Sequence, residues 1–206
     1  MNNDESRVLV GATVSVDGFI AGRDDGVGPL FDWYFNGDVE LPTGPRQYRP
    51  RGGYRPAARS AELLRETWPL IGATVIGRRL FDLTDGWTGK PAIGDHVVVV
   101  THRDAGDWPS RYPDAPFEFA GGLEPAVRRA RKLAAGRDVS IAAGDLAGQA
   151  LLAGLVDQID MYVAPVVLGA GVRFFGDHEV PLTMLENPSV IESDRVTHLR
   201  YRIASR

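Results

Sequence analysis

Basic residues follow two short apolar segments of this sequence, at residues 73–76 and 96–100. The two runs are Gly77-Arg78-Arg79 and Thr101-His102-Arg103. If the first segment is a strand and a helix starts after it, guanidinium groups and unpaired backbone N–H groups lie together. That chemistry suits nucleotide phosphates, and an arginine at the end of the second strand suits a ribose 2′-phosphate. Each run taken alone also fits arginines that only face solvent.

A third candidate phosphate site follows the apolar segment 139–143. A turn at Gly144 leads into a predicted helix, with Asp145 at the position of an N-cap. Ligands of parallel sheets sit at the carboxyl ends of strands, where helix N-termini can hold anions. The turn is therefore a candidate phosphate cradle, formed by Ala143, Gly144, Asp145 and Leu146.

The elements around this turn predict a βαβ unit. Apolar residues recur at helical spacing after Asp145, and Gly154 followed by Leu155 is typical of a helix C-terminus. A second strand is expected at 158–167, and the strand–helix–strand order favours a parallel sheet. Residues 8–16 predict another buried strand, and 123–134 an amphipathic helix.

The two ends of the chain carry further candidates. Asp17-Gly18 is a turn signal after the first predicted strand, so Asp17 either faces a ligand or belongs to an ordinary turn. Residues 29–36 predict a short aromatic helix with Pro29 in its first turn. Residues 196–203 alternate in polarity, which predicts a half-exposed antiparallel strand with His198 on the more polar face.

Residues 41–59 form a predicted loop insertion with five arginines and two tyrosines. One interpretation is a lid that contacts an anionic substrate or a neighbouring subunit. The other is a solvated insertion without a role in binding. The sequence leaves both open.

Composition narrows the class of protein. With 206 residues, a single domain spanning 1–206 is expected. A net charge of −4 gives no indication of binding to nucleic acid or to an anionic membrane. There is no cysteine, and the four histidines lack metal-ligand spacing. With no signal-peptide pattern at the N-terminus and no apolar run of ~20 residues, we expect a cytoplasmic protein that binds a small molecule.

Four segments together resemble the dihydrofolate-reductase-like family, in particular the reductase domain of the riboflavin-biosynthesis deaminase-reductase and its stand-alone relatives. The segments are GATVSVDGFIAG at 11–22, ATVIGRRLFD at 73–82, VVVVTHR at 97–103 and VSIAAGDLAGQALLAGLVDQIDMYVAPVVLGAGVRFFG at 139–176. The resemblance implies an α/β, three-layer dihydrofolate-reductase-like fold. Its central sheet would be mixed and mostly parallel, with flanking helices and antiparallel C-terminal strands.

The resemblance also implies NADPH as cofactor and assigns residues to it. Gly77, Arg78 and Arg79 would meet its phosphates, and Thr101, His102 and Arg103 would surround the adenosine end. The turn Ala143 to Leu146 would meet the pyrophosphate. Ala12 and Ile20 would flank the nicotinamide, and Asp17 would face the substrate as the candidate catalytic residue.

This sequence departs from the family pattern at three places. Ala142-Ala143 stands where many relatives have two glycines, Asp145 brings a carboxylate close to the expected phosphates, and we expect no deaminase domain. Asp32 matches the pteridine-binding acid of dihydrofolate reductases only in position, so folate reduction is not implied.

The implied function is hydride transfer from NADPH to a C=O or C=N of a small heterocyclic or sugar-phosphate-like substrate. This would be similar to the 5-amino-6-(5-phosphoribosylamino)uracil reductase of the riboflavin pathway. The alternatives are a nucleotide-binding or regulatory module without turnover, and a reductase with a flavin-type cofactor. Relatives usually dimerise, so a homodimer is expected.

Overall fold

An eight-stranded sheet and a separate two-stranded sheet form the centre of the computed structural model, which describes residues 6–204. In chain order, the strands are β1 Val8–Ser15, β2 Phe19–Ala21, β3 Ile71–Gly77, β4 His96–Val100, β5 Phe117–Ala120, β6 Asp138–Ala142, β7 Gln158–Ala164, β8 Val172–Arg173, β9 Ser189–Ser193 and β10 Val196–Arg202. Strands β2 and β8 pair with each other, and the other eight strands form the large sheet.

The large sheet has the order β5-β4-β3-β6-β1-β7-β10-β9. Every pair from β5 to β7 is parallel. Strand β10 runs antiparallel to β7, and β9 runs antiparallel to β10. This confirms the predicted mixed, mostly parallel sheet with antiparallel C-terminal strands.

Strand β1 lies in the middle of the sheet because its sequence can be buried on both faces. Val10 is fully buried on one face, and Leu9 and Thr13, which point to the other face, are only 5% and 2% exposed. Val10 is in register with Ile141 of β6 on one side and with Ile159 of β7 on the other. The predicted βαβ unit therefore straddles β1.

Five helices flank the sheet: α1 Ala58–Thr67, α2 Arg78–Gly89, α3 Trp108–Arg111, α4 Leu123–Ala134 and α5 Asp145–Leu152. Helix α4 has the predicted bounds and buries the apolar stripe that includes Ala126 and Ala130. Helix α5 ends as predicted, since the Gly154 N–H donates to the Leu151 carbonyl and the Leu155 N–H to the Ala150 carbonyl.

The face of the sheet away from α4 and α5 carries two separate apolar clusters. One lies beside β10 and includes Trp33, Leu64 and Val196, with Trp33 from a 3₁₀ helix at Gly28–Tyr34, where a short aromatic helix was predicted. The other lies beside β3 and β4 and includes Phe81 and Trp108. Between the two clusters, β6 and β1 line a cleft.

Strand β10 is antiparallel and close to the sheet edge as predicted, but its His198 is fully buried. Its ring packs edge-on against Trp33 and Tyr162, and its Nε2 lies 2.8 Å from the Ser60 hydroxyl. The alternation of polar residues in β10 did not reveal this burial, because the 3₁₀ helix and α1 that cover His198 are distant in sequence.

Burial of His198 predicts an acid-sensitive fold. Desolvation lowers the pKa of His198 to about 4, whereas an unfolded histidine titrates near ~6.5. The unfolded chain therefore binds more protons between these values, and stability falls as the pH drops through this window, by up to ~1.4 kcal/mol per pH unit. We expect His198→Gln to flatten this dependence in urea unfolding between pH 7 and pH 5. The exposed His102→Gln serves as control and should keep it; an unchanged slope in His198→Gln would contradict the assignment.

Candidate functional site

The cleft between the two apolar clusters has a volume of about 1300 Å³. This exceeds the ~300–1,000 Å³ of a pocket for one small ligand, so there is room for a cofactor and a substrate together. All twelve residues predicted to contact a cofactor line it: Ala12, Ile20, Gly77, Arg78, Arg79, Thr101, His102, Arg103, Ala143, Gly144, Asp145 and Leu146. Their chain segments are far apart in sequence and meet because parallel strands end at one edge of the sheet.

The side of the cleft at the carboxyl ends of β3 and β4 holds three of these arginines and is called the arginine end below. Arg78 donates to the carbonyl oxygen of Asp104 at 2.8 Å and to the carboxylate of Asp82 at 2.7 Å. Arg103 donates to the other Asp82 oxygen at 3.0 Å. The single negative charge of Asp82 is therefore shared by two guanidinium groups. Because it can neutralise only one of them, the arginine end carries a surplus of positive charge.

Arg79 makes a two-pronged contact with Asp25, at 2.8 and 2.7 Å. This partner raises the pKa of Arg79, mainly through the hydrogen bonds. The Arg79 side chain is 67% exposed. Exposed ion pairs contribute only ~0–1 kcal/mol, so a ligand phosphate can compete with Asp25 for this arginine at small cost.

The predicted cradle lies where β6 meets α5, but the roles of two of its residues at the helix start differ from the prediction. Asp145 is the first residue of α5 instead of its N-cap, and Gly144 takes the N-cap position. The Asp145 carboxylate accepts from Gln149 at 2.6 Å and lies 2.7 Å from Nε2 of His178. The Asp145 carboxylate makes these contacts, and no side-chain hydrogen bond caps the start of α5.

The backbone N–H groups of the cradle are only partly free. The Gly144 N–H donates to the Phe174 carbonyl at 2.8 Å. The N–H groups of Asp145 and Leu146 belong to the first helical turn, which lacks carbonyl partners within the helix. Ile20 lies beside this turn, with its Cδ1 3.5 Å from a Cβ built on Gly144. The two amides can donate to an anionic group, and Arg79 and Arg103 line the same cleft.

Asp17 is the predicted site residue that the structure does not bring to the cleft. Its carboxylate accepts from the backbone N–H groups of Leu168 and Gly169, at 3.1 and 2.7 Å. A hydrogen bond with Ser15, together with these amides, lowers the pKa of Asp17. These contacts connect the turn after β1 to the loop after β7. A catalytic role for Asp17 stays a prediction. Asp32 also lies away from the cleft lining, 3.8 Å from Arg195.

The opposite side of the cleft, over β7 and β10, is called the tyrosine end. Tyr34, Tyr48, Tyr54 and Tyr162 line it, together with charged residues that the sequence interpretation missed. Those residues are Arg7, Asp138, Asp160 and Arg200. A signal was present, because Gln158, Asp160 and Tyr162 alternate with apolar residues in a strand, which points polar side chains to one face.

The loop predicted at 41–59 contributes to the tyrosine end through Tyr48, Pro50 and Tyr54. The Tyr48 N–H donates to the Pro91 carbonyl at 2.9 Å, so the loop crosses to the other side of the cleft. None of its five arginines is among the residues that line the cleft. The described loop thus turns its aromatic residues towards the cleft.

The fold and cleft define an α/β protein of the dihydrofolate-reductase-like type, with a binding cleft across the ends of its parallel strands. A family model of the RibD C-terminal domain matches residues 94–198, which is about half of the chain. The chain belongs to this family, which is a family of reductase domains. A search of curated protein sequences finds no match.

Solved structures of low identity share the fold. A protein of Shewanella sp. PV-4 with a provisional riboflavin-biosynthesis name is 19% identical, with a TM-score of 0.61 over 97% of this chain and 100% of its own. A pyrimidine reductase-like protein of Corynebacterium diphtheriae is 16% identical, with a TM-score of 0.57 over 98% and 94%. RibD of Acinetobacter baumannii is 16% identical, with a TM-score of 0.60; the match covers 98% of this chain and 59% of that protein.

Within residues 6–204, no helix combines the length and the apolar character that a membrane crossing needs.

The backbone at Gly144 gives a testable requirement for glycine. Its φ of 99° and ψ of −142° lie in a region that is essentially restricted to glycine. A Cβ there would have ordinary contacts, at 3.5 Å or more, so strain and not crowding should decide the effect. We expect Gly144→Ala to lower the free energy of unfolding in urea by ~1–3 kcal/mol. Gly121→Ala, with no atom within 4 Å and an ordinary φ, is the control. Equal stability of the two variants would contradict the cradle geometry.

Proposed function

We propose that this protein is an NADPH-dependent reductase that transfers a hydride to a C=O or C=N carbon of a small substrate. The observation that carries the proposal is the convergence of twelve residues, chosen from sequence as cofactor contacts, on one cleft of sufficient volume. Membership of a reductase-domain family supports it. The Thermotoga maritima structure, 15% identical, bears the name of a deaminase and 5-amino-6-(5-phosphoribosylamino)uracil reductase.

The roles of the cleft residues follow from their charges and positions. Arg79 and Arg103 would hold the phosphates of the dinucleotide, with Thr101 and His102 beside them. The amides of Asp145 and Leu146 would meet the pyrophosphate, and Ala12 and Ile20 would flank the nicotinamide. The nicotinamide supplies the hydride, and the protein orients it and controls the electrostatics around it.

Asp145 is compatible with a nearby phosphate because of its partner. His178 lies 2.7 Å from its carboxylate, and the Gln149 amide donates to the second oxygen. A carboxylate held in this way is turned along α5, and both of its oxygens already have a side-chain partner. The repulsion expected from the sequence is thereby reduced.

A nucleotide-binding module without turnover is the second candidate. It is favoured by the position of Asp17, whose carboxylate is held by Leu168 and Gly169 away from the cleft. A measurement of NADPH binding does not distinguish the binding module from a reductase. The absorbance of NADPH at 340 nm in the presence of a substrate does distinguish them, because the module would bind the dinucleotide without oxidising it.

The arginine end predicts a preference between dinucleotides. Charge-assisted hydrogen bonds contribute ~1.5–3 kcal/mol, so Arg103 should make NADPH bind about tenfold or more tightly than NADH. We expect Arg103→Ala to abolish the difference in a thermal-shift titration, where ligand at ~100 times its Kd adds ~2.7 kcal/mol. Arg128→Ala is the control, since Arg128 lies on the exposed face of α4. Equal stabilisation of the parent by NADPH and NADH would remove the assignment.

We also propose that the protein is a homodimer. One group of exposed apolar side chains lies at the β9 side of the sheet, with Leu182, Met184 and Val190 at 95%, 69% and 51% exposure. Backbone hydrogen bonds join Glu186 to Arg202 and Met184 to Ala204, so the segment 184–186 lies along the same side of β10 as β9. Pairing of this edge with a second copy would cover these side chains.

Assembly can be measured directly. We expect sedimentation velocity to give a dimer at micromolar concentration and Met184→Asp to give monomers, because a charge would be buried in the contact. Leu152→Asp, at a residue 50% exposed on α5, is the control and should stay dimeric. A monomeric parent would refute the homodimer.

A further inference from the structure

An ion pair between Asp25 and Arg79 joins two sides of the cleft. Arg79 is the second residue of α2, directly after β3, whereas Asp25 follows β1 and β2. In the large sheet, β6 lies between β3 and β1. The two outer strands are separated by two spacings of ~4.8 Å, about 10 Å. The ion pair therefore connects elements on either side of β6, whose carboxyl end forms the start of the cradle.

The Asp25 carboxylate engages Arg79 as a phosphate would. Its Oδ1 accepts from Nε at 2.8 Å, and its Oδ2 accepts from Nη2 at 2.7 Å. Arginine makes the same two-pronged contact with the oxygens of phosphate groups. Both residues line the cleft. The Nε and Nη2 groups of Arg79 can pair in this way with one anion at a time, so Asp25 and a ligand phosphate exclude each other there.

The strand that leads to Asp25 packs on the cradle. Strands β2 and β8 pair with each other. A Cβ built on Gly144 would lie 3.5 Å from Ile20 of β2 and 3.7 Å from Val172 of β8. Both strands thus contact the turn between β6 and α5. The segment that carries Asp25 begins beside the amides proposed to meet the pyrophosphate.

Residues 23–26, called the Asp25 loop, are fastened to the rest of the protein by this ion pair. The Gly26 N–H donates to the Asp24 carboxylate at 3.1 Å, and the Gly26 carbonyl accepts from the Gly22 N–H at 2.7 Å. Within the described residues 6–204, the contact with Arg79 is the only hydrogen-bonded link from this loop to a part of the chain beyond Gly22. Loss of the ion pair would therefore free the loop from the α2 side of the cleft.

The ion pair is open to exchange. The Arg79 side chain is exposed, whereas that of Asp25 is largely covered. A pair with an exposed partner shifts an equilibrium by no more than about fivefold. A phosphate that meets the cradle amides as well as Arg79 gains more contacts than the Asp25 carboxylate, whose side-chain partner is Arg79.

We propose that Asp25 competes with a phosphate of the bound ligand for Arg79 and thereby limits how tightly the cleft holds that ligand. The proposal rests on the proposed function, under which the phosphate belongs to the pyrophosphate of NADPH. Without ligand, the carboxylate holds Arg79 and the Asp25 loop is fastened. With ligand, the phosphate takes the guanidinium and the loop is released. The apparent affinity scales with the fraction of molecules in which Arg79 is free.

Removal of the carboxylate tests the competition. We expect Asp25→Asn to bind NADPH about fivefold more tightly than the parent in calorimetric titration, because Arg79 loses its competing partner. Asparagine tolerates the φ of 63° at this position, so the loop backbone is retained. Asp32→Asn, which removes the same charge away from the cleft lining, is the control and should bind as the parent does. Unchanged or weaker binding by Asp25→Asn overturns the proposal.

A double-mutant cycle attributes the gain to Arg79. Arg79→Gln should weaken NADPH binding, because one phosphate contact is lost. Asp25→Asn added to Arg79→Gln should bring no further change, since no guanidinium remains to be released. A gain of the same size in both backgrounds would reveal a general effect of charge near the phosphates and refute the competition.

Trypsin measures the release of the Asp25 loop, because Arg23 is an exposed cleavage site within it. Proteolysis follows the population of the open form. We expect cleavage after Arg23 to be about threefold or more faster than in the ligand-free parent for Asp25→Asn, for Arg79→Gln and for the parent saturated with NADPH. Asp32→Asn should keep the parental rate. A parental rate in both loop variants, or protection of Arg23 by NADPH, overturns the proposal.

Inorganic pyrophosphate separates a failure of this proposal from a failure of the proposed function. If NADPH binds to neither the parent nor Asp25→Asn, the cofactor assignment is wrong, and pyrophosphate is titrated instead. Tighter binding of pyrophosphate by Asp25→Asn, lost when Arg79→Gln is added, supports the competition for another phosphate ligand. Absence of that gain refutes it. Equal NADPH affinity of the parent and Asp25→Asn refutes the competition and leaves the cofactor assignment intact.

Discussion

Parallel pairing of β1 with β6 on one side and β7 on the other is the constraint on which the whole site depends. Burial of branched side chains on these strands holds the register, with Val10 between Ile141 and Ile159. A slip by one residue would exchange the two faces of a strand. The polar side chains of β7 would then point towards α4 and α5, and the cleft would lose its floor.

The cleft exists because helices and loops cover one face of the sheet incompletely. The cluster around Trp33 and the cluster around Phe81 leave β6 and β1 between them, and there Gly11 and Ala142 have little or no side chain. The charged side chains are also divided between the two sides of the cleft. Surplus arginines lie by β3 and β4, while the arginines by β7 and β10 are paired with aspartates.

The family match and the structural likeness cover different parts of the chain. The RibD C-terminal domain matches residues 94–198, which leaves out Gly77 to Arg79 and the loop that crosses the cleft. The structural matches extend over 97–98% of the chain at 15–19% identity. At this identity the structural likeness shows the fold alone and assigns no side chain of the tyrosine end. Substrate choice therefore has to be argued from the residues of this chain.

The sequence by itself determined the elements whose signals are local. The apolar run 96–100, the stripe of 123–134 and the glycine end of α5 lie where they were predicted, because periodicity and turn geometry act within a few residues. The rule that ligands meet the carboxyl ends of parallel strands then sufficed to gather the arginines on one cleft. Only the tertiary structure decided the contacts between distant segments. Asp17 meets Leu168, His198 meets Ser60, and Arg7 meets Asp138 across 131 residues of chain. Strand order and register select these partners, and both follow from the packing of the whole sheet rather than from any stretch of sequence.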